Sequence, residues 1–392
     1  MPAGVYLHIP FCRSRCSYCD FATDVYLSGD AVERYVGALC KEIARVADSE
    51  ERTTQAPKRG HSSFGRRGAW HAIDSIYFGG GTPSLLTAVQ VKKIIETVFE
   101  RFDVSSDAEI TMEMNPATVT AETLAAYRSL GVNRASFGVQ TFDDRALKLL
   151  ARGHDADDAR MTFQLLRDAG FDNVSFDLIA GLPGQTLTQW ERNLDEALAM
   201  QPEHLSLYLL EIHEATPLAE QIRSGRQPLP DEQLAAEMYE VMLDRVADAG
   251  YVQYEISNFT RPGFASRHNS KYWTLDPVYG FGVSAHSFDG VDRYANERDT
   301  ARYVDLVESD GSAEVSREAI SAASEFVFLG LRLNEGIALE EYRERSGVDL
   351  IERYDAEIRR LADVGLLEIS TDRLKLTRRG MLFSNEVFAE FV

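Results

Sequence analysis

Six short apolar runs punctuate the first half of the chain, at 5–10, 74–78, 109–115, 134–140, 173–179 and 204–210. Between them, apolar residues recur every three or four positions, over 30–46, 87–101, 121–130, 143–150, 155–169 and 187–200. A short apolar run closed by a turn residue predicts a buried strand, and the 3.6-residue recurrence predicts a helix with one inward face. Strands that alternate with helices pair in parallel, with the helices packed outside. Six such units, two short of a closed barrel, predict an α/β fold: an incomplete (β/α)6 barrel, splayed and open at one side.

Beyond Glu211 the pattern changes. A helix is expected over 231–249 and a strand over 251–256, followed by two aromatic segments, Arg267-His268-Asn269-Ser270-Lys271-Tyr272-Trp273 and 279–287. From about 314, amphipathic stretches at 318–331 and 355–362, a hairpin at 365–369 and 374–376 and a last helix at 379–391 predict a small winged-helix-like unit. The expected domains are 1–300, the barrel with its aromatic extension, and 314–392. Residues 50–68 show no period and carry Lys58, Arg59, Arg66 and Arg67, the pattern of an exposed loop insertion.

Charge narrows the partners. The 62 Asp and Glu against 41 Lys and Arg leave a formal net charge of −21, which opposes general binding to nucleic acid or to anionic lipid, so no nucleic-acid partner is expected and the last unit reads as a packing module. No run approaches the ~18 apolar residues of a membrane span. Residues 1–30 carry charges where a signal peptide needs an apolar core, so a cytoplasmic protein is expected.

Three of the four cysteines, Cys12, Cys16 and Cys19, follow the first run within one tight loop. They can face a metal centre, and an iron–sulfur cubane held by three thiolates keeps one iron open to a small ligand. Zinc would need a fourth ligand, for which His8 is the nearby candidate; a disulfide would leave one thiol over. Cys40 falls on the inward face of a predicted helix, where packing is expected of it. Further polar groups stand where strands end: Gly79-Gly80-Gly81-Thr82-Pro83, which lets backbone approach a ligand, then Glu113 with Asn115, Gln140, and Asp177 inside an otherwise apolar run. Arg152 closes a helix, with Gly153 as its stop.

The C-x3-C-x2-C loop after a first strand, followed by a glycine motif after the second, resembles the radical S-adenosylmethionine (SAM) superfamily. The resemblance implies a [4Fe–4S] cluster on Cys12, Cys16 and Cys19, with SAM on the open iron and cleaved by an electron from the cluster. Residue by residue it implies SAM contacts at Tyr6, Tyr18, Gly80, Gly81, Thr82, Glu113, Gln140, Arg152 and Asp177. Over nearly the whole length the chain is similar to the oxygen-independent coproporphyrinogen III oxidase-like branch, which contains a decarboxylating dehydrogenase and a haem chaperone. The dehydrogenase has a further cysteine where Phe21 stands, and a longer arm before its loop, whereas Met1 lies eleven residues before Cys12. His268-Asn269-x-x-Tyr272-Trp273 matches a motif associated with haem binding in the chaperone. The resemblance therefore implies haem as a third bound group, with His268 as its contact. Delivery to acceptor proteins such as membrane-bound respiratory enzymes is implied as the function, with SAM-dependent oxidative decarboxylation of coproporphyrinogen III as the alternative. Whether SAM is cleaved or only bound in such work stays open at this point.

Overall fold

In the computed structural model, which describes residues 2–25, 28–53 and 72–391, the six expected strands all form. They are β1 (Ala3–Ile9), β2 (Ile73–Gly80), β3 (Val104–Met114), β4 (Arg134–Gln140), β5 (Val174–Ala180) and β6 (His204–Leu209). Each pairs in parallel with the next. The helices between them start where the chain supplies caps: Thr87, Thr120, Asp155 and Thr186 each close a capping box with the side chain three residues on. Their apolar faces bury Ile94, Leu124, Leu166 and Trp190 against the outer face of the sheet. Trp190 is fully buried and donates its indole N–H to the Met238 carbonyl at 3.0 Å.

Six units are not the whole sheet. β7 (Val252–Glu255) and β8 (Asn258–Thr260) form a hairpin that extends β6 in the antiparallel sense. On the opposite flank β9 (Val278–Phe281) lies parallel to β1, followed by antiparallel β10 (His286–Phe288), β11 (Asp292–Asn296) and β12 (Glu314–Ala319). The resulting twelve-stranded sheet runs β12-β11-β10-β9-β1-β2-β3-β4-β5-β6-β8-β7 and stays open.

Two sequence expectations change here. Residues 314–319, the last two of them within the expected helix 318–331, are the edge strand β12, and the helix begins only at Ala322. All six β12 residues are exposed and three are charged, which suits an edge that must resist further pairing but leaves no apolar period to read. The last helix is two, Arg378–Leu382 and Ser384–Ala389, broken at Phe383. The expected loop at 50–68 is entered by the long helix Gly29–Thr53; its remainder, with Lys58, Arg59, Arg66 and Arg67, lies outside the described residues. Hairpin strands Leu367–Ile369 and Arg373–Leu376 form as expected, joined by a third short strand, Ile337–Ala338.

The extension on the β9 side is tied to the barrel by one buried carboxyl. Glu42, on the helix Gly29–Thr53, accepts from the Gly282 amide at 2.9 Å, the Tyr303 hydroxyl at 2.7 Å and the Asn296 side chain at 2.6 Å. Burial outweighs these donors and pushes its carboxyl up to about 7. In an unfolded chain a glutamate holds its proton only to about pH 4.3. Between those values the folded state binds the extra proton, so the Glu42 contribution to stability weakens as pH rises through that window. Thermal melts of Glu42→Gln, which cannot ionise, should lose less stability than the parent between about pH 5 and pH 8, by roughly 1–3 kcal/mol. Parallel curves for the two proteins would refute this.

Candidate metal and cofactor site

Because strand side chains alternate, register decides which polar groups share the barrel interior. Tyr6 stands beside Tyr77, and Tyr77 beside Thr111. Glu113 pairs with Ser136, Gly138 with Asp177, and Asp177 with Ser206. The intervening residues, such as Leu7, Phe78, Met112 and Phe137, face outward under the helices, so the inner face is polar by construction. Arg134, fully buried at the start of β4, is a cation within this interior whose field draws down the pKa of both Glu113 and Asp177. Burial still dominates: it lifts Glu113 to about 7 and raises Asp177.

The cysteine loop hangs from the carboxyl end of β1, held by a short parallel pairing of Phe11–Cys12 with Asp24–Val25. Ser17 docks it onto the helix Asp144–Leu149, its amide donating to the Leu150 carbonyl at 2.9 Å and its hydroxyl to that of Leu149 at 3.0 Å. All three loop cysteines are free and only partly buried, whereas Cys40 is buried in the core.

A chain of hydrogen bonds joins two of these sulfurs through three strand ends. Thr82 donates to Cys12 Sγ at 3.6 Å and itself accepts from Asn115 Nδ2 at 2.8 Å. Arg152 donates to Asn115 Oδ1 at 2.7 Å, to the Gly138 carbonyl at 2.7 Å and to Cys16 Sγ at 3.4 Å. Donors aimed at sulfur favour thiolate, the form that binds metal. Against them, burial first and then the neighbouring Cys19 and Cys16 push the Cys12 thiol up to about 11. A positively charged iron centre is what such a set of crowded sulfurs would stabilise as thiolates. Among the described residues no three His, Cys, Asp or Glu converge on a single ion.

The glycine motif lies against this loop. Gly81 and Thr82 donate their amides to the Ile9 and Phe11 carbonyls, both at 2.8 Å. A Cβ on Gly81 would stand 2.7 Å from the Pro10 carbonyl oxygen, so backbone approach is what glycine supplies there. The Gly80 amide donates to Glu113 Oε2 at 3.1 Å and Tyr77 donates to Glu113 Oε1 at 2.8 Å, which places Glu113 under the motif. Gln140, buried and left-handed at φ 67°, ends β4 beside Gly138, where a side chain would overlap the Gln140 amide. Tyr18 packs with Leu150, Ile179 and Leu182. Thus Tyr6, Tyr18, Gly80, Gly81, Thr82, Glu113, Gln140, Arg152 and Asp177 line one end of the barrel with the cysteines. Asn115 is the group that was visible as a strand-end polar residue but had no assigned part; only its bonds to Thr82 and Arg152 supply one.

His268 lies beneath this set. It is 1% exposed, on the short helix Arg267–Trp273, beside Gly4 and Ser75, and its ring stacks 6.3 Å from that of Tyr6. Its Nδ1 meets the Ser75 hydroxyl at 3.1 Å, its Nε2 meets the Tyr272 hydroxyl at 3.1 Å, and its ring stacks at 5.1 Å on Tyr77. Burial and the nearby Lys271 and Arg134 charges pull its pKa down to about 3, so it is a neutral imidazole with both nitrogens engaged.

Likeness to known proteins follows the same division of the chain. Residues 6–197 match the Radical SAM superfamily model, and residues 318–383 match the HemN C-terminal domain. Heme chaperone HemW of Bacillus subtilis is 36% identical over 395 residues, spanning 99% of each chain. HemW of Lactococcus lactis is 32% identical over 100% of this chain and 97% of its own, and that of Mycobacterium tuberculosis H37Rv is 34% identical over 98% and 94%. The chain belongs to the HemW family of radical SAM proteins. The solved structure of the radical SAM enzyme coproporphyrinogen III oxidase (HemN) from Escherichia coli superposes over 100% of this chain and 90% of its own, with a TM-score of 0.84 at 23% identity, and so shares the fold. Radical SAM membership implies a [4Fe–4S] cluster and SAM, and the three free cysteines, two of them with donors on their sulfurs, fit the cluster. No helix among the described residues is long and apolar enough to cross a membrane.

Proposed function

We propose that this chain is a haem chaperone: it binds haem beside a cluster-and-SAM site and passes it to acceptor proteins, respiratory enzymes among them. The observation that carries this reading is end-to-end likeness to proteins named heme chaperones, at 32–36% identity. Phe21 supports it: where the dehydrogenase has an additional cysteine, this chain presents an aromatic ring that is 67% exposed beside the cluster loop.

Within the proposed site, Cys12, Cys16 and Cys19 would hold the cluster, which when loaded supplies an electron to bound SAM. The protein's own part is placement. The Arg152 guanidinium is the cation suited to the SAM carboxylate, the Gly80–Thr82 backbone to its amino end, and Glu113 to a ribose hydroxyl. Beneath these groups Asp177 and Gln140 would add a carboxyl and an amide able to take further polar atoms of the ligand.

The alternative is decarboxylation of coproporphyrinogen III, favoured by the shared fold alone. Anaerobically reconstituted protein, given SAM, reductant and coproporphyrinogen III, should release no protoporphyrinogen and should bind haem at about one equivalent. Multiple turnovers would overturn the chaperone reading in favour of the dehydrogenase.

A further inference from the structure

Asn115 follows β3 directly and precedes Pro116. Its carbonyl accepts from the Thr118 amide at 3.2 Å and the Thr118 hydroxyl at 2.6 Å, and the same hydroxyl meets that of Ser84 at 2.8 Å. This closed turn fixes the point from which the half-buried Asn115 side chain projects. Its amide reaches Arg152 on one side and Thr82 on the other, and among the described residues it bonds to no cysteine.

The chemistry of these groups sets the direction of every bond between them. A guanidinium has no acceptor, so Arg152 can only donate, and Asn115 must present Oδ1 to it. Its Nδ2 is then turned to Thr82, and an amide nitrogen only donates, so the Thr82 oxygen accepts there. Thr82 is 2% exposed, and its single hydroxyl hydrogen goes to Cys12 Sγ. The donors therefore run one way, from a cation through an amide and a hydroxyl to a sulfur. Hydrogen bonds in series polarise one another, so each link strengthens the next. Arg152 also donates to Cys16 directly, and its charge thus acts on two loop sulfurs by two routes. With Nη2 held by Asn115 and Gly138 and Nη1 on Cys16, its Nε is buried and has no hydrogen-bond partner among the described residues, a donor left for a ligand.

We propose that Asn115 is a positioning residue that couples the arginine of the SAM site to the cluster ligands: it aims the Thr82 hydroxyl at Cys12 and holds Arg152 so that its Nε is free for the SAM carboxylate. The assignment rests on the cluster-and-SAM reading of the site. Donors on sulfur withdraw electron density and stabilise the reduced, more negative form of a cluster, so they raise its potential. Loss of the Asn115 amide should therefore move two properties at once, although Asn115 touches no cluster ligand: the cluster becomes harder to reduce, and affinity for SAM falls.

The test uses the full-length chain, reconstituted anaerobically, with iron content, the midpoint potential of the cluster and SAM affinity measured on each sample. Asn115→Leu, close to asparagine in size, should load about four irons per chain as wild type does, since it removes no ligand. Its potential should fall by the equivalent of a roughly 3- to 10-fold change in the reduced-to-oxidised ratio, about 30–60 mV for one electron. SAM affinity should drop about 10-fold, the low end of what the partners of metal-site groups supply. Thr82→Val should lower the potential in the same sense, and Thr82→Ser should restore it. Thr82→Val combined with Asn115→Leu should fall short of the sum of the two single shifts, because both break one path. Asn115→Ala, which adds no bulk, replaces the leucine variant if that one does not load. A potential and SAM affinity equal to wild type in a fully loaded Asn115 variant, or additive shifts in the double variant, would overturn the assignment. So would loss of the cluster in both Asn115 variants, which would make the residue part of the scaffold. Failure of wild type itself to take up a cluster or bind SAM would instead bring down the reading on which the assignment rests.

Discussion

Substituting any one of Cys12, Cys16 or Cys19 by serine should leave the protein without its cluster after anaerobic reconstitution. Wild type should carry about four irons and four sulfides per chain, the content of one cubane, and each of these variants close to none. The reason lies in the count of ligands: with three cysteines there is no spare thiolate to take over, and the crowded sulfurs are ordered by a loop too short to recruit another. Cys40 cannot substitute, since it is buried in the helix Gly29–Thr53 with its sulfur facing the Lys93 carbonyl at 3.9 Å. Cys40→Ser should therefore load normally. Iron and sulfide analysis with electron paramagnetic resonance of the reduced samples decides the matter; a loop variant that retained a full cubane would remove that cysteine from the ligand set.

The next largest effect is expected at Arg152. Its guanidinium spans Asn115, Gly138 and Cys16, so one side chain orders the ends of two strands and the Cys16 sulfur. Arg152→Met removes the cation proposed for the SAM carboxylate and leaves the Asn115 and Gly138 oxygens without their donor. Loss of one partner of a buried charged contact costs about 3–5 kcal/mol, which corresponds to roughly 100-fold or more in affinity. SAM binding to cluster-loaded protein, followed through the perturbation of the cluster spectrum, should weaken on that scale. Arg152→Lys should recover only part of the loss, because an ammonium offers a point charge in place of a planar fork. Unchanged SAM affinity in Arg152→Met would exclude it from the SAM site.

The sequence by itself determined the strand–helix alternation, the parallel order of β1 to β6, and the cysteine loop at the end of β1. These are local signals. Apolar periodicity reports which face each element buries, and Cys12, Cys16 and Cys19 are near one another because only a few residues separate them. The cap residues Thr87, Thr120, Asp155 and Thr186 likewise mark helix starts within four residues of chain.

What required the tertiary structure is every relation between groups far apart in the chain. β9 joins β1 across more than two hundred and sixty positions, and nothing in the run Val278–Phe281 announces its partner. β12 is charged and exposed because it is an edge, so it carries no burial pattern at all. The bond series from Cys12 through Thr82, Asn115 and Arg152 to Cys16 exists because four segments bring their ends to one point. His268 shows the reverse. Its aromatic neighbours in sequence suit a ligand site, yet the fold turns its ring into the barrel and satisfies both nitrogens. Residue type and spacing state what chemistry a side chain can perform; which lone pair is free to perform it depends on who else reaches that nitrogen, and that is decided by packing.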